Sequence, residues 1–102
     1  MIQVTVMEFK KLLEFEWDKG NSEKPKQHDL TLEETEESFL DKNKIVFDDW
    51  KHSAKEGRIT LLGKTKKGKL LNITFTVRGN KVRVITARPI NKKEVYLYEK
   101  RN

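Results

Sequence analysis

With 102 residues, 37% of them charged and 35% hydrophobic, the chain supports one domain around a single modest core. It has no cysteine, which excludes a disulfide framework and thiolate metal sites, and no uninterrupted apolar run of the length that a secretory signal or membrane span needs. The net charge of +6 is uneven: Met1 to Trp50 carries 7 Lys/Arg against 13 Asp/Glu, and Lys51 to Asn102 carries 15 against 3. A second half at +12 points to nucleic acid before membrane, because it reads as strands and not as an amphipathic helix. The expectation is a soluble, cytoplasmic protein.

In chain order, residues 1–11 fit a strand or a short helix equally well. Leu12 to Trp17 alternates as a strand, with Leu13, Phe15 and Trp17 on one face. "DKGNSEKPKQHD" is a polar turn leading into at most a short helix, with Pro25 tolerable near its start because it has no N–H to donate. Thr31 and Glu34 have capping-box spacing, which predicts a helix from Leu32 to about Leu40. Lys44 to Asp48 is a short strand and "DWKHSAKEG" a polar loop. Three strands follow, "RITLLG", "KLLNITFTV" and "KVRVITAR", joined by "KTKKG" and by Gly79-Asn80, a pair suited to a primed hairpin turn. Pro89 ends the last strand, and Asn91 with Glu94 again has cap spacing before a helix from Lys92 to Lys100. The order β–α–β–β–β–β–α predicts an α+β domain with a mainly antiparallel sheet: a three-strand meander, one or two further strands, helices packed on it and a C-terminal helix.

Little in the chain suggests metal or nucleophilic catalysis. His28 and His52 stand 24 residues apart with no acid at ligand spacing, "GKTKKGK" lacks the Walker pattern, and no serine elbow is present. Neither a metal site nor a cofactor is expected. Arginine with lysine and tyrosine suggests another chemistry. RNA is cleaved without metal when its 2′-hydroxyl attacks the adjacent phosphate, given a proton acceptor, a cationic clamp and a donor to the leaving oxygen. Arg88 lies where the last strand meets the last helix. Strand alternation puts Arg83 on the opposite face, so the two need not share a site, and Arg58 opens the first meander strand. Tyr96 and Tyr98 point opposite ways around the helix, one inward and one to solvent. Taken singly, each residue also fits a structural role: strand-end solvation, a salt bridge, a core tyrosine.

Seven segments, in order, resemble the BrnT-type toxin family: "FEWD" (15–18), His28 with the acidic helix ending at Phe39, "FDDWKHS" (47–53), "GR" (57–58), "LLGKTKKGKLLNITFT", "VRVITAR" (82–88) and "NKKEVYLYE" (91–99). The resemblance spans about Leu13 to Glu99, so the chain reads as a single domain over 1–102, with residues 1–11 as an N-terminal extension and 12–100 as the toxin domain. It implies a RelE-like fold and a ribonuclease toxin of a type II toxin–antitoxin pair; with no metal site visible in the chain, the leading expectation is a metal-independent endoribonuclease that cleaves RNA and halts translation. It further implies a partner antitoxin with a ribbon-helix-helix DNA-binding domain, through which alone operator DNA is met; the +12 of the second half makes an acidic antitoxin the expected partner. Onto this sequence it maps His28 to a Lys-His pair with Gln27 in place of the lysine, Arg58 to the arginine opening the second-half sheet, and Arg88 to a Ser-Ala-Arg position. Glu94 and Tyr98 fall in the terminal-helix pattern. Pro25 stands where the family has asparagine, and Lys26-Gln27-His28-Asp29 replaces Lys-His-Gly.

The candidate catalytic residues are therefore Arg88, Arg58 and Arg83 as phosphate clamps, with His28 or Tyr98 in proton transfer. Lys66, Lys67, Arg78, Lys92 and Lys93 are candidates for RNA binding. The basic half would equally serve a non-catalytic nucleic-acid-binding protein, or one that docks an acidic partner segment.

Overall fold

In the computed structural model, which describes residues 14–48 and 57–101, alternation along one strand organises the domain. Leu70–Arg78 sends Leu71, Ile73 and Phe75 to one side of a sheet and Asn72, Thr74 and Thr76 to the other, and it is the central strand, β4. Its neighbours are β1 (Glu14–Phe15), β2 (Ile45–Asp48), β3 (Ile59–Lys64) and β5 (Lys81–Pro89), in the spatial order β1-β5-β4-β3-β2. β2 through β5 pair antiparallel with their neighbours. β1 adds to β5 in parallel, making the sheet mixed. The hairpin between β4 and β5 turns at Gly79, whose φ of +61° is the left-handed conformation that glycine adopts without steric cost.

Two helices, α1 (Glu23–Lys26) and α2 (Leu32–Ser38), lie between β1 and β2 in sequence. The core joins Leu61, Leu71, Ile73, Phe75, Val82, Val84 and Ala87 of the sheet to Leu30 and Phe39, with Phe15 and Trp17 packed against it. Phe39 sits edge-on between Phe15 and Phe75, both ring centroids 5.0 Å away. The capping box of α2 is complete: Thr31 Oγ1 accepts from the Glu34 N–H, and the Glu34 carboxylate accepts from the Thr31 N–H. α2 stops at Ser38 because the Phe39 and Leu40 N–H groups bond three residues back and tighten the last turn. Its end rests directly on β3, where a Cβ at Gly63 would collide with the Ser38 carbonyl oxygen. Pro25 is buried in the first turn of α1, where its missing N–H is harmless. Leu12 and Leu13 of the expected first strand, the polar loop at 49–56 and His52 lie outside the described residues.

A third helix, α3 (Lys92–Arg101), packs on part of the other face. Leu62, opposite Asn72 in register, is fully buried on that side, as is Tyr98, and the Asn72 amide donates to Glu94 of the helix. Among the described residues beyond α3, Thr74 is partly exposed and Thr60 and Thr76 are buried on this face.

Candidate nucleic-acid interface

One irregularity reshapes the open face. Thr74 pairs with Thr86, but the next residue, Phe75, pairs with Val84, so Ile85 is an extra residue in β5. Alternation would have put Arg83 and Arg88 on opposite faces. The bulge restores them to one, Arg83 opposite Thr76 and Arg88 opposite Asn72. The parity expectation is therefore corrected: one face of β4 and β5 carries Arg78, Arg83, Thr86 and Arg88.

At the α3 end of this face lies a cleft of about 380 Å³, with Thr60, Asn72, Thr74 and Thr86 as its floor and Phe47, Arg58, Arg88 and Glu94 around it. Arg88 is held firmly there. Its Nη1 and Nη2 donate to the two Glu94 carboxylate oxygens at 2.9 and 2.7 Å, and Nη1 also donates to the Pro89 carbonyl at 3.1 Å. Glu94 is itself fixed by the N-cap of α3, accepting from the Asn91 N–H while the Asn91 side chain accepts from the Glu94 N–H, and by the Asn72 amide at 2.8 Å. Burial works to raise the Glu94 pKa, but the Arg88 guanidinium, the Asn91 N–H and the Asn72 amide outweigh it and hold the carboxyl below its ordinary range. The same ion pair raises the Arg88 pKa. A guanidinium has two forked edges, and Glu94 takes the Nη1/Nη2 edge. The Nε/Nη2 edge of Arg88, whose side chain is 39% exposed, has no partner among the described residues. Arg58 lines the same cleft with no hydrogen bond or ion pair to another described residue.

The remaining candidates sit elsewhere. Arg83 is committed to carboxylates, donating to Asp18 at 2.8 and 3.1 Å and to Glu16 at 3.2 Å, with Arg78 3.9 Å from Glu16. The Arg83 hydrogen bond, with the Gly20 N–H, lowers the Asp18 pKa. Tyr98 is 4% exposed and its hydroxyl donates to Asp41 Oδ2 at 2.6 Å; burial and that carboxylate push its pKa far above the ordinary tyrosine value. His28 is exposed in the turn between α1 and α2 and is not among the cleft residues. Lys66 lines a separate groove beside Phe15, Glu33, Glu36 and Glu37, and Lys67 is exposed in the β3–β4 turn. Lys92 and Lys93 flank exposed Tyr96 and Leu97 on the outer side of α3. Among the described residues no three His, Asp or Glu side chains converge closely enough to hold a metal ion.

Phe47, Asn72 and Glu94 are cleft residues that reasoning from the sequence did not place in the site. The cap spacing of Asn91 and Glu94 located the helix start, yet only the tertiary approach of α3 to β4 shows Glu94 beside Arg88. The fold also mixes the two charge halves: Glu16 and Asp18 meet Arg83, and Glu34 meets Lys69 at 2.8 Å. The basic half is therefore not a uniformly basic surface.

Fold and site together define a small α+β domain with an arginine-lined cleft on one face of its sheet. The chain belongs to the family described as the ribonuclease toxin BrnT of type II toxin–antitoxin systems, which matches residues 17–94. Membership implies a ribonuclease toxin with a cognate antitoxin as its partner. Comparison with curated proteins gives no match. No helix among the described residues is long and apolar enough to cross a membrane.

Proposed function

We propose that the protein is a metal-independent endoribonuclease with a RelE-like fold that cleaves RNA in the cytoplasm and so halts translation, until an acidic ribbon-helix-helix antitoxin covers it. The observation that carries the reading is the pairing of Arg58 with the free edge of Arg88 in one cleft, within a ribonuclease toxin family. In the reaction the RNA 2′-oxygen attacks phosphorus, its proton passes to an acceptor, the bond to the 5′-oxygen breaks, and that oxygen takes a proton. The products are a 2′,3′-cyclic phosphate and a 5′-hydroxyl. Arg58 and Arg88 act on the phosphoryl oxygens, where charge builds in the transition state. Arg88 arrives already oriented by Glu94, so little ordering remains to be done on binding. Arg83 and Arg78, engaged by carboxylates, and the exposed Lys67, Lys92 and Lys93 would steer the RNA backbone more than act on the scissile phosphate. Tyr98 holds α3 in place.

A second reading, RNA binding without cleavage, is favoured by one observation. Among the described residues of the cleft, the only carboxylate, Glu94, already accepts from Arg88, Asn72 and Asn91, and there is no histidine. The deciding experiment incubates the purified protein with RNA in EDTA. Cleavage leaving cyclic-phosphate ends supports the toxin reading. Loss of cleavage in EDTA with recovery in magnesium contradicts metal independence, and intact RNA with tight, salt-sensitive binding selects the second reading.

A further inference from the structure

We infer that Phe47 is a stacking platform for one nucleobase of single-stranded RNA, next to the phosphate held by Arg58 and Arg88. This rests on the RNA-cleaving reading of the cleft and specifies its substrate as single-stranded. Phe47 pairs with Thr60 of β3, a residue of the cleft floor, so its ring projects on the same open side of the sheet. It lines the cleft with Arg58 and Arg88 and is 43% exposed, although a phenylalanine is among the residues that folding most favours burying. The core does not recruit it: the aromatic cluster of Phe15, Phe39 and Phe75 lies on the opposite side of the sheet.

The chemistry fits a nucleotide. Arginine donors meet the phosphate, threonine and asparagine side chains on the floor can meet sugar or base edges, and an aromatic face meets a base. At about 380 Å³ the cleft is at the small end of the range for small-molecule sites, roughly 300–1,000 Å³, and suits one nucleotide better than a duplex. Stacking needs an unstacked base, which a duplex does not offer. An acidic peptide would use the arginines but gain little from the ring.

The test measures binding of a short 2′-O-methyl RNA, which lacks the attacking hydroxyl, carrying one 2-aminopurine. Phe47→Leu keeps apolar volume and removes the π face; Phe47→Trp keeps the face. At a half-exposed position neither should disturb folding, which urea unfolding verifies. The expected result is about 10-fold weaker binding of the single strand by Phe47→Leu, near-parental binding by Phe47→Trp, and 2-aminopurine quenching lost only with leucine. Weak duplex binding should be the same for all three proteins. Parental affinity and quenching in Phe47→Leu, with weakened binding in Arg88→Ala, overturns the stacking platform and leaves the arginine cleft standing. If Arg88→Ala also binds and cleaves as the parent does, the RNA-cleaving reading of the cleft falls and takes this inference with it.

Discussion

Replacing Tyr98 with phenylalanine separates holding the helix from doing chemistry. The hydroxyl is buried and donates to Asp41 at 2.6 Å, a hydrogen bond to a charged acceptor of the kind worth roughly 1.5–3 kcal/mol. Its loss does not strand the carboxylate, because Asp41 Oδ2 still accepts from the Lys64 N–H at 2.8 Å and Oδ1 from the Asn43 N–H at 2.9 Å. The ring keeps its place, so no cavity forms. The expected loss is therefore at the low end, about 1–2 kcal/mol, or roughly 4–8 °C in Tm per kcal/mol for a domain of this size. A pH signature accompanies it. The folded-state pKa of Tyr98 is raised, so its contribution is fully present below the unfolded value of about 10 and is lost as the pH rises above that. Tyr98→Phe should lack this alkaline decline. Urea unfolding between pH 7 and pH 11 measures both effects, and RNA cleavage at 20 °C, where the variant remains folded, should proceed at the parental rate. Unchanged stability with a rate lowered on the order of 10²-fold would place the hydroxyl in the reaction and refute this reasoning.

Gly63→Ala should destabilise the fold by about 1–3 kcal/mol in urea unfolding, because the added Cβ meets a backbone carbonyl at Ser38 that can yield only by moving α2. Asp29→Gly should stabilise it by about 1 kcal/mol in the same assay: φ at Asp29 is 57°, a left-handed conformation that costs a side chain and suits glycine. In acid, Asp18, Glu34 and Glu94 have folded pKa values below their unfolded ones, so the stability they supply is present above about pH 4 and is lost as the pH falls through the folded values. Glu94→Gln should flatten that decline below about pH 4, read as a smaller change in the urea midpoint.

The elements whose signals are local were legible in the chain. Thr31 and Glu34 announced α2, Asn91 and Glu94 announced α3, and Gly79-Asn80 announced the hairpin. Arg58, Arg83 and Arg88 were named as clamp candidates; Arg58 and Arg88 line one cleft, whereas Arg83 pairs with Glu16 and Asp18 outside it. What escaped depends on long-range contacts. No single-strand pattern reveals the extra residue Ile85, since a bulge exists only relative to the partner strand, and it overrules the alternation that separated Arg83 from Arg88. β1 reads as an ordinary strand, and its parallel pairing with β5 is set by how the chain returns through α1 and α2. The +12 of the second half suggested an open cationic surface; three of its arginines, Arg78, Arg83 and Arg88, instead face Glu16, Asp18 and Glu94, and which acid meets which base is a property of the fold alone.

The central claim is that Arg58 and Arg88 together hold the phosphate at which RNA is cut. Single-turnover cleavage of one RNA in EDTA by the parent, Arg58→Ala, Arg88→Ala and the double variant, each verified as folded, tests it most directly. Each single substitution should slow cleavage on the order of 10²–10³-fold. The double should fall short of the product of the two, because the arginines act on one group. Arg88→Lys should not restore the rate, since an ammonium cannot serve Glu94 and a phosphate through two planar edges. Parental rates in all of the folded variants would contradict the claim and move the reaction out of this cleft.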